Sequence, residues 1–244
     1  MGLFFNKEKT LYFPGCLTKG VAKQEFENYK EIFNKLKIDF IMLPEKENCC
    51  GLPVLNAGFK KDTRKLANKN FKLFKENKIT KIVTNCPSCY HTFKDIYPEL
   101  VRDWDIEIEH ATVTILNALE KRKIEYKGIN EDRPIVSYHD SCHLGRYAGI
   151  YEEPRKVIEL LGGKIIEMRL NKENSLCCGA GGGVRANFRE TAIKAAKLRT
   201  KEMPKEATKL ISACALCHSN LKTATDKSTE FSTFVLGRLR GLRK

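Results

Sequence analysis

The ten cysteines of this 244-residue chain form two copies of one pattern. Each copy has a single cysteine, then an adjacent pair followed by glycine, then a CxxC pair. The gaps are 32 and 35 residues in the first copy and 34 and 35 residues in the second. No cysteine lies outside the pattern, so neither chance nor core packing accounts for it. The positions are Cys16, Cys49, Cys50, Cys86, Cys89, Cys142, Cys177, Cys178, Cys214 and Cys217.

The residues around the cysteines repeat as well. LYFPGCLTKG matches VSYHDSCHLG in outline, and KIVTNCPSCYHTF matches KLISACALCHSNL. This period is much longer than the units that stack in solenoid proteins, so it indicates a duplicated domain. The polar stretch 127–133 is the expected boundary. We therefore predict a first repeat domain over residues 1–128 and a second over residues 129–244.

Short runs rich in β-branched and aromatic residues alternate with helical patterns in both halves. This order predicts two tandem α/β lobes, related by a pseudo-twofold axis, each with a short parallel sheet. The cysteine groups then fall at the C-terminal ends of strands, the edge where open α/β sheets bind ligands. The predicted strands are 10–13, 38–43, 79–84, 106–109, 135–138, 164–168, 209–212 and a short piece near Glu230. The predicted helices are 22–36, 57–77, 88–100, 112–123, 153–161, 188–203, 216–225 and 233–242.

The composition is that of a globular protein, with 42% hydrophobic and 30% charged residues. The net charge of +14 is spread over lysines with glutamates between them, as on solvated helix faces. Because no basic stretch is interleaved with aromatic residues, nucleic-acid binding is not expected. No apolar run approaches the roughly 20 residues that cross a bilayer, so a membrane is expected only through a partner. The polar N-terminus does not fit a secretory signal, which favours the cytoplasm.

Three kinds of site could account for the five thiols in each half: disulfides, a zinc site or an iron–sulfur cluster. Disulfides are disfavoured in the cytosol, and adjacent cysteines hold their Cα atoms about 3.8 Å apart, closer than disulfides prefer. Tetrahedral zinc takes four thiolates and leaves a fifth unused. A polynuclear iron–sulfur cluster can use all five soft sulfur ligands. The pattern therefore favours iron–sulfur binding, with zinc as the alternative.

The glycines beside the adjacent cysteines have a predicted role at such a site. Gly51 and Gly179 can adopt positive φ directly after two ligands. Gly181, Gly182 and Gly183 can turn amide groups toward the sulfurs, as an anion-binding nest does. The run lacks the ending of a phosphate-binding P-loop. Arg185, beside the run, can hold an anionic group of the substrate.

These residues resemble a known family. FPGC, NCCG and NCPSCYHTFK in the first half, and YHDSCHLGR, YEEPRKVIE and NSLCCGAGGGVRANF in the second, are similar to the cysteine-rich CCG domains of heterodisulfide reductase. The same domains occur in the iron–sulfur subunits of glycolate and lactate oxidases. The resemblance covers about residues 10 to 236, and its second half is most similar to the catalytic D-type subunit.

The resemblance implies two [4Fe–4S] clusters of the noncubane type. One cluster would be held by the first five cysteines and the other by the last five. It further implies an oxidoreductase acting on a sulfur group, in which a disulfide is reduced at the two clusters. The alternative that stays open is an electron-transfer subunit of a lactate- or glycolate-type hydroxy-acid oxidase complex.

Partners and protons follow from the same resemblance. The sequence has neither the additional ferredoxin-like cysteines of D-type relatives nor a flavin domain. Electrons are therefore expected from a separate subunit, a ferredoxin-like iron–sulfur protein or a flavoprotein. The substrate would be a small disulfide or a compound of a hydroxy-acid pathway. Splitting a disulfide consumes two protons, and His143 and His139 beside Cys142 are the candidate catalytic donors.

Overall fold

The computed structural model describes residues 8–43, 46–126 and 133–241. Its strands are β1 (Lys9–Tyr12), β2 (Ile79–Thr84), β3 (Glu107–His110), β4 (Ile135–Tyr138), β5 (Lys164–Ile165), β6 (Lys209–Ser212) and β7 (Ser228–Glu230). The first three form one sheet in the order β1-β2-β3, and the rest form a second sheet in the order β5-β4-β6-β7. Every pairing is parallel. The predicted pair of parallel α/β lobes is confirmed.

The two sheets share one strand order. A parallel bridge joins Leu11 of β1 to Ile41, in the place that β5 takes beside β4. The predicted strand 38–43 is thus reduced to one bridge, and the predicted strand 164–168 to two residues. Both segments lie at a sheet edge and have a neighbour on one side only, so few ladder hydrogen bonds hold them in strand geometry.

Helices cover the sheets, and one of the predicted helices is divided. Within the predicted helix 88–100, a π-helical turn over Thr92–Ile96 separates the helix Pro87–His91 from the helix Tyr97–Leu100, because Pro98 has no N–H for the carbonyl one α-helical turn earlier. The predicted helix 57–77 begins only at Lys60, because Gly58, with φ +91°, separates it from a short helix over Leu52–Asn56. In the described ranges no helix is both long and apolar enough to cross a membrane. The helices are α1 (Cys16–Gly20), α2 (Lys23–Lys35), α3 (Leu52–Asn56), α4 (Lys60–Glu76), α5 (Pro87–His91), α6 (Tyr97–Leu100), α7 (Ala111–Lys121), α8 (Glu152–Leu160), α9 (Val184–Asn187), α10 (Arg189–Thr200), α11 (Ala215–Leu221) and α12 (Phe231–Gly241).

The two halves share a central core. Helix α2 of the first half packs against α12 of the second, and α7 of the first packs against α8 of the second. Tyr12 and Phe33 belong to the same buried apolar cluster as Tyr138 and Phe231. Each half also has its own cluster on the far side of its sheet. The contact of α2 with α12 becomes that of α8 with α7 when the two halves are exchanged, which agrees with the pseudo-twofold relation.

The predicted domain boundary falls almost wholly outside the described residues. Residues 127–132 are not described, and Arg133 lies just before β4. The division at residue 128 therefore stays a prediction.

Candidate metal centres

The five cysteines of the first half meet at the C-terminal edge of the first sheet. Contacts of hydrogen-bonding type link Cys16 to Cys49, Cys49 to Cys50, Cys50 to Cys89, and Cys89 to Cys86. Cys16 begins α1 just after β1, and Cys86 precedes α5 just after β2. The parallel topology thus gathers thiols from three separate loops.

The second half repeats this arrangement. The same kind of contact links Cys142 to Cys177, Cys177 to Cys178, Cys178 to Cys217, and Cys217 to Cys214. Cys214 precedes α11, and its Sγ accepts a hydrogen bond from the backbone N–H of Cys217 at 3.5 Å. The structure therefore brings together all ten cysteines that the spacing singled out, in two quintets.

Each quintet has a buried floor and an open rim. In the first half Cys50 and Cys89 are buried while Cys16 is exposed. In the second half Cys178 and Cys217 are buried while Cys177 is exposed. A bound group would thus be held from below and remain accessible from one side.

Mutual contact drives the thiol pKa values apart in the same way in both halves. Hydrogen bonding from Cys16 lowers the pKa of Cys49 to about 2, and hydrogen bonding to Cys49 raises the pKa of Cys50 to about 12. The pKa of Cys177 is likewise lowered to about 2 by Cys142, and that of Cys178 is raised to about 12 by Cys177. Five crowded sulfurs cannot all ionise unless positive charge is placed among them, which is what a metal group supplies.

The glycine after each adjacent pair bends the backbone back over the sulfur. Gly51 has φ +95° and its N–H donates to Cys49 Sγ at 3.4 Å. Gly179 has φ +87° and its N–H donates to Cys177 Sγ at 3.3 Å. This left-handed backbone is open to glycine at little cost. Such amide hydrogen bonds stabilise charge on sulfur.

The glycine run and Arg185 lie farther along the same loop. Gly182 and Gly183 have positive φ and lead into α9. Among the described hydrogen bonds, none joins the amides of Gly181, Gly182 or Gly183 to a sulfur, so their predicted role stays a prediction. Arg185 Nη1 donates to Ser219 Oγ at 2.7 Å, which holds the half-buried guanidinium beside α11.

His143 lies where the second site meets the first half. Its Nδ1 is 3.4 Å from Cys142 Sγ, and its ring stacks on Tyr147 with centroids 4.9 Å apart. Its ring centroid is 5.8 Å from that of His91, which ends α5 two residues after Cys89. Burial, and then the nearby His91, lower the pKa of His143. The predicted proton donor thus lies between the cysteine-bearing elements of both halves.

His139 occupies a different environment. Its side chain is 1% exposed, and its Nδ1 accepts a hydrogen bond from Arg199 Nε at 3.0 Å. Burial, and then the charge of Arg199, lower the pKa of His139 to about 3, so the ring is neutral at physiological pH. One ring nitrogen and the Sγ atoms of Cys178 and Cys217 all lie within 4.8 Å of one another. Proton donation by His139 stays a prediction. The buried, neutral ring is better suited to donating a hydrogen bond than to releasing a proton.

Two buried arginines were missed by sequence reasoning. Arg199 is 0% exposed, and Arg155 pairs with both carboxylate oxygens of Asp140 at 2.7 and 2.9 Å. A signal for Arg199 was present, because Ala192, Ala196 and Arg199 recur at the spacing of one buried helix face. The pattern could not reveal that this face meets His139.

The donor set fits an iron–sulfur cluster. All five sulfurs of each quintet belong to one continuous chain of contacts, so a four-thiolate zinc site would leave a neighbouring thiol unused. The backbone at Gly15 passes close to the sulfurs of the first half. A Cβ added there would lie 3.2 Å from Cys89 Sγ, so the absence of a side chain at Gly15 leaves this space open. Soft thiolates with amide donors at their sulfurs are the surroundings in which such clusters are held.

Comparison with known proteins agrees with this geometry. The model of the CCG cysteine-rich domain matches residues 10–94 and again residues 136–222. The D-type polypeptide of dihydromethanophenazine:CoB–CoM heterodisulfide reductase from Methanosarcina acetivorans is 35% identical over 229 residues, 91% of this chain and 55% of that protein. EtfAB:quinone oxidoreductase from Syntrophomonas wolfei is 32% identical over 178 residues, 71% of this chain and 24% of that protein. The chain thus spans about half the length of its heterodisulfide reductase relative.

More distant matches add little. An iron–sulfur-binding oxidoreductase of Bacillus subtilis is 29% identical over 200 residues, 81% of this chain and 28% of that protein. Among solved structures, glutamate racemase from Aquifex pyrophilus aligns with a TM-score of 0.38 at 15% identity, over 98% of this chain and 84% of that one. So low a score supports no conclusion. The two matched repeats, each with a converging quintet of cysteines, show that the chain belongs to the CCG cysteine-rich domain family of iron–sulfur oxidoreductase subunits.

Proposed function

We propose that this chain is the disulfide-reducing subunit of a heterodisulfide-reductase-like complex, with a [4Fe–4S] cluster of the noncubane type on each quintet. The observation that supports this most is the contact between the two sites. His143, 3.4 Å from Cys142 Sγ, faces His91 at the end of the helix that carries Cys89. A small disulfide that enters this junction can meet both sites. The 35% identity to a heterodisulfide reductase subunit supports the same assignment.

The reaction is RS–SR′ + 2 e⁻ + 2 H⁺ → RSH + R′SH. The clusters, when bound, supply the electrons that break the S–S bond. His143 is half-buried at the rim, and it holds a proton at its ring nitrogen for the leaving sulfur. Arg185, fixed by Ser219, keeps further N–H groups for a carboxylate, phosphate or sulfonate on the substrate.

The electrons come from a separate partner, a ferredoxin-like iron–sulfur protein or a flavoprotein. Ten free cysteines are suited to a reducing compartment such as the cytoplasm. A membrane is involved only through a partner subunit. The matched reductase is named as a subunit, which supports a multi-protein assembly for this chain as well.

A second function has its own support. EtfAB:quinone oxidoreductase is similar to 71% of this chain, so a related sequence also occurs in a protein whose name gives a different activity. The alternative is therefore an electron-transfer subunit of a lactate- or glycolate-type hydroxy-acid oxidase complex. In that case the clusters would pass electrons on without breaking a disulfide.

Anaerobic purification tests the proposal. We expect brown protein with about eight irons per chain, on the assignment of two four-iron clusters. Cys50→Ser and Cys178→Ser are a matched pair, and each should abolish or convert one cluster while the other keeps its spectrum. With reduced methyl viologen as donor, a small disulfide should be consumed with two thiols released per two electrons.

Other outcomes are equally definite. Colourless protein rich in zinc would replace the proposal with a zinc-stabilised fold. Two intact clusters that reduce no disulfide, but take electrons from a hydroxy-acid-oxidising flavoprotein, would establish the electron-transfer alternative.

A further inference from the structure

The two cluster sites differ in one buried residue three positions before the first cysteine. His139 precedes Cys142, whereas Phe13 precedes Cys16. Both side chains are buried, at 1% and 2% exposure. The thiol-to-thiol contacts are alike in the two halves, so a buried difference of this kind can separate two nearly equivalent sites.

Arg199 determines where the proton of His139 lies. Its Nε donates to His139 Nδ1 at 3.0 Å, while Nη1 donates to Leu170 O at 2.6 Å and to Glu202 Oε2 at 2.8 Å. A guanidinium has donors only, so Nδ1 of the imidazole must use its lone pair. The ring proton is therefore on Nε2, and the ring is neutral.

The Nε2–H group has no acceptor among the described residues. A buried donor without a partner carries a free-energy penalty, so such groups in folded proteins point at an acceptor. A ring nitrogen of His139 and the Sγ atoms of Cys178 and Cys217 lie within 4.8 Å of one another. Because Nδ1 is occupied by Arg199, sulfur of the second site is the acceptor available to the Nε2–H group when a cluster is bound.

At the position equivalent to His139 the first half has no such donor. Phe13 packs its ring edge to face against Phe93, with centroids 4.9 Å apart. Arg199 lies eleven residues after Phe188, which precedes α10. Asn70 lies eleven residues after Phe59, which precedes α4, and is therefore the counterpart of Arg199. Its amide donates to Cys49 O at 3.0 Å and to Tyr97 Oη at 2.9 Å. The phenyl ring has no N–H, so the first site has no equivalent donor at this position.

Hydrogen bonds to cluster sulfur stabilise the more negative, reduced state and so raise the reduction potential. Because Arg199 is paired with Glu202, the oriented N–H group of His139 carries the effect more than the charge of Arg199 does. We infer that the Arg199–His139 pair gives the second site the higher potential, so that electrons pass from the first site to the second. In each step the reduced first cluster loses one electron and the oxidised second cluster gains it, while no bond is made or broken. The inference rests on the proposed binding of two clusters.

The test is a redox titration of the anaerobic holoprotein, followed by electron paramagnetic resonance. Single-cluster variants Cys50→Ser and Cys178→Ser assign each signal to its site. In the unaltered protein the second cluster should be reduced at the higher potential. His139→Phe, which copies the first site, should shift the second midpoint downward and leave the first unchanged. The first midpoint is an internal control that separates a local effect from a general loss of structure.

Two further variants keep the test decisive if His139→Phe does not fold. His139→Gln retains an amide N–H and should restore part of the shift, whereas Arg199→Met frees the imidazole to take the other tautomer and should reproduce the downward shift. Phe13→Leu is the matched control in the first half and should preserve the order of reduction. Two clusters with midpoints unmoved by these changes would overturn the inference and leave the proposed function standing. Fewer than two clusters would overturn both.

Discussion

Tyr29 Oη donates a hydrogen bond to Glu230 Oε1 at 3.1 Å, and this bond joins α2 of the first half to the end of β7 in the second. Glu230 Oε2 also accepts from the backbone N–H of Ser232 at 2.6 Å, at the start of α12. The carboxyl group is 2% exposed, and burial raises its pKa to about 7. Protonation of Glu230 is therefore coupled to the packing of the two halves against each other.

This coupling predicts a pH-dependent stability. The pKa of Glu230 is higher in the folded protein than its ordinary value of 4.5, so the folded state binds the proton more tightly. The stabilisation is fully present below about pH 4.5 and is lost as the pH rises to about 7, by up to about 3 kcal/mol. Thermal unfolding of the holoprotein at pH 5.5, 6.5 and 8 should show a falling midpoint.

Glu230→Gln removes the titrating group and should flatten that dependence. Glu27→Gln is the control, since Glu27 is exposed and pairs with Lys30 on the surface of α2. Equal pH slopes for the two variants would show that Glu230 does not contribute.

His143→Gln should slow disulfide turnover about 100-fold or more, because general acid catalysis typically contributes that much. Iron content and both cluster spectra should be unchanged, since glutamine occupies a similar volume and no cysteine is altered. His218→Gln is the control in the second half: this histidine follows Cys217, and its Nδ1 contacts Ser228 Oγ at 3.0 Å. An unchanged rate in His143→Gln would dismiss it as the proton donor.

Gly179→Ala should damage the second site. A Cβ at Gly179 would lie 2.4 Å from Ala195 Cβ and 3.0 Å from Ala192 O, on a backbone with φ +87°. Left-handed strain and overpacking together cost about 2 to 5 kcal/mol. Iron analysis should show loss from the second site, and the unfolding midpoint should fall.

Gly237→Ala provides the comparison for this substitution. Gly237 lies in α12, and a Cβ there would meet nothing within 4 Å. The free energy of unfolding of Gly237→Ala should therefore equal that of the unaltered protein or be slightly higher. If Gly179→Ala retained full iron and the same midpoint as Gly237→Ala, the close approach at the second site would be disproved.

Arg155→Met should destabilise the second half strongly. Arg155 and Asp140 have side chains 6% and 2% exposed, and the guanidinium also bonds Glu167 Oε1 at 2.6 Å. Removing the cation leaves Asp140 buried without its partner, which costs about 3 to 5 kcal/mol. Chemical denaturation should show that loss. Arg169→Met removes an exposed cation from Glu202, which keeps its pair with Arg199, so it should cost less than about 1 kcal/mol. An equal effect of the two changes would contradict the prediction.

Sequence reasoning predicted the architecture wherever the signal was local. Strands β1, β2, β4 and β6 lie within a residue or two of their predicted positions, because runs of β-branched and aromatic residues favour buried parallel strands. The edge segments 38–43 and 164–168 were overextended, since their length depends on how many neighbours they have in the sheet. The division of the predicted helix 88–100 follows from the missing N–H of Pro98, which is a local signal in the sequence.

The candidate sites divide in the same way. The ten thiols, their grouping into two quintets and the glycines after each adjacent pair are properties of spacing, which the linear sequence records completely. The facing of His143 and His91, the bond from Tyr29 to Glu230, and the placement of Arg199 behind His139 join residues 52, 201 and 60 positions apart. The first two contacts exist because the two halves pack α2 on α12 and α7 on α8, whereas the third forms within the second half, where α10 meets the segment after β4. No linear pattern records which buried faces will meet.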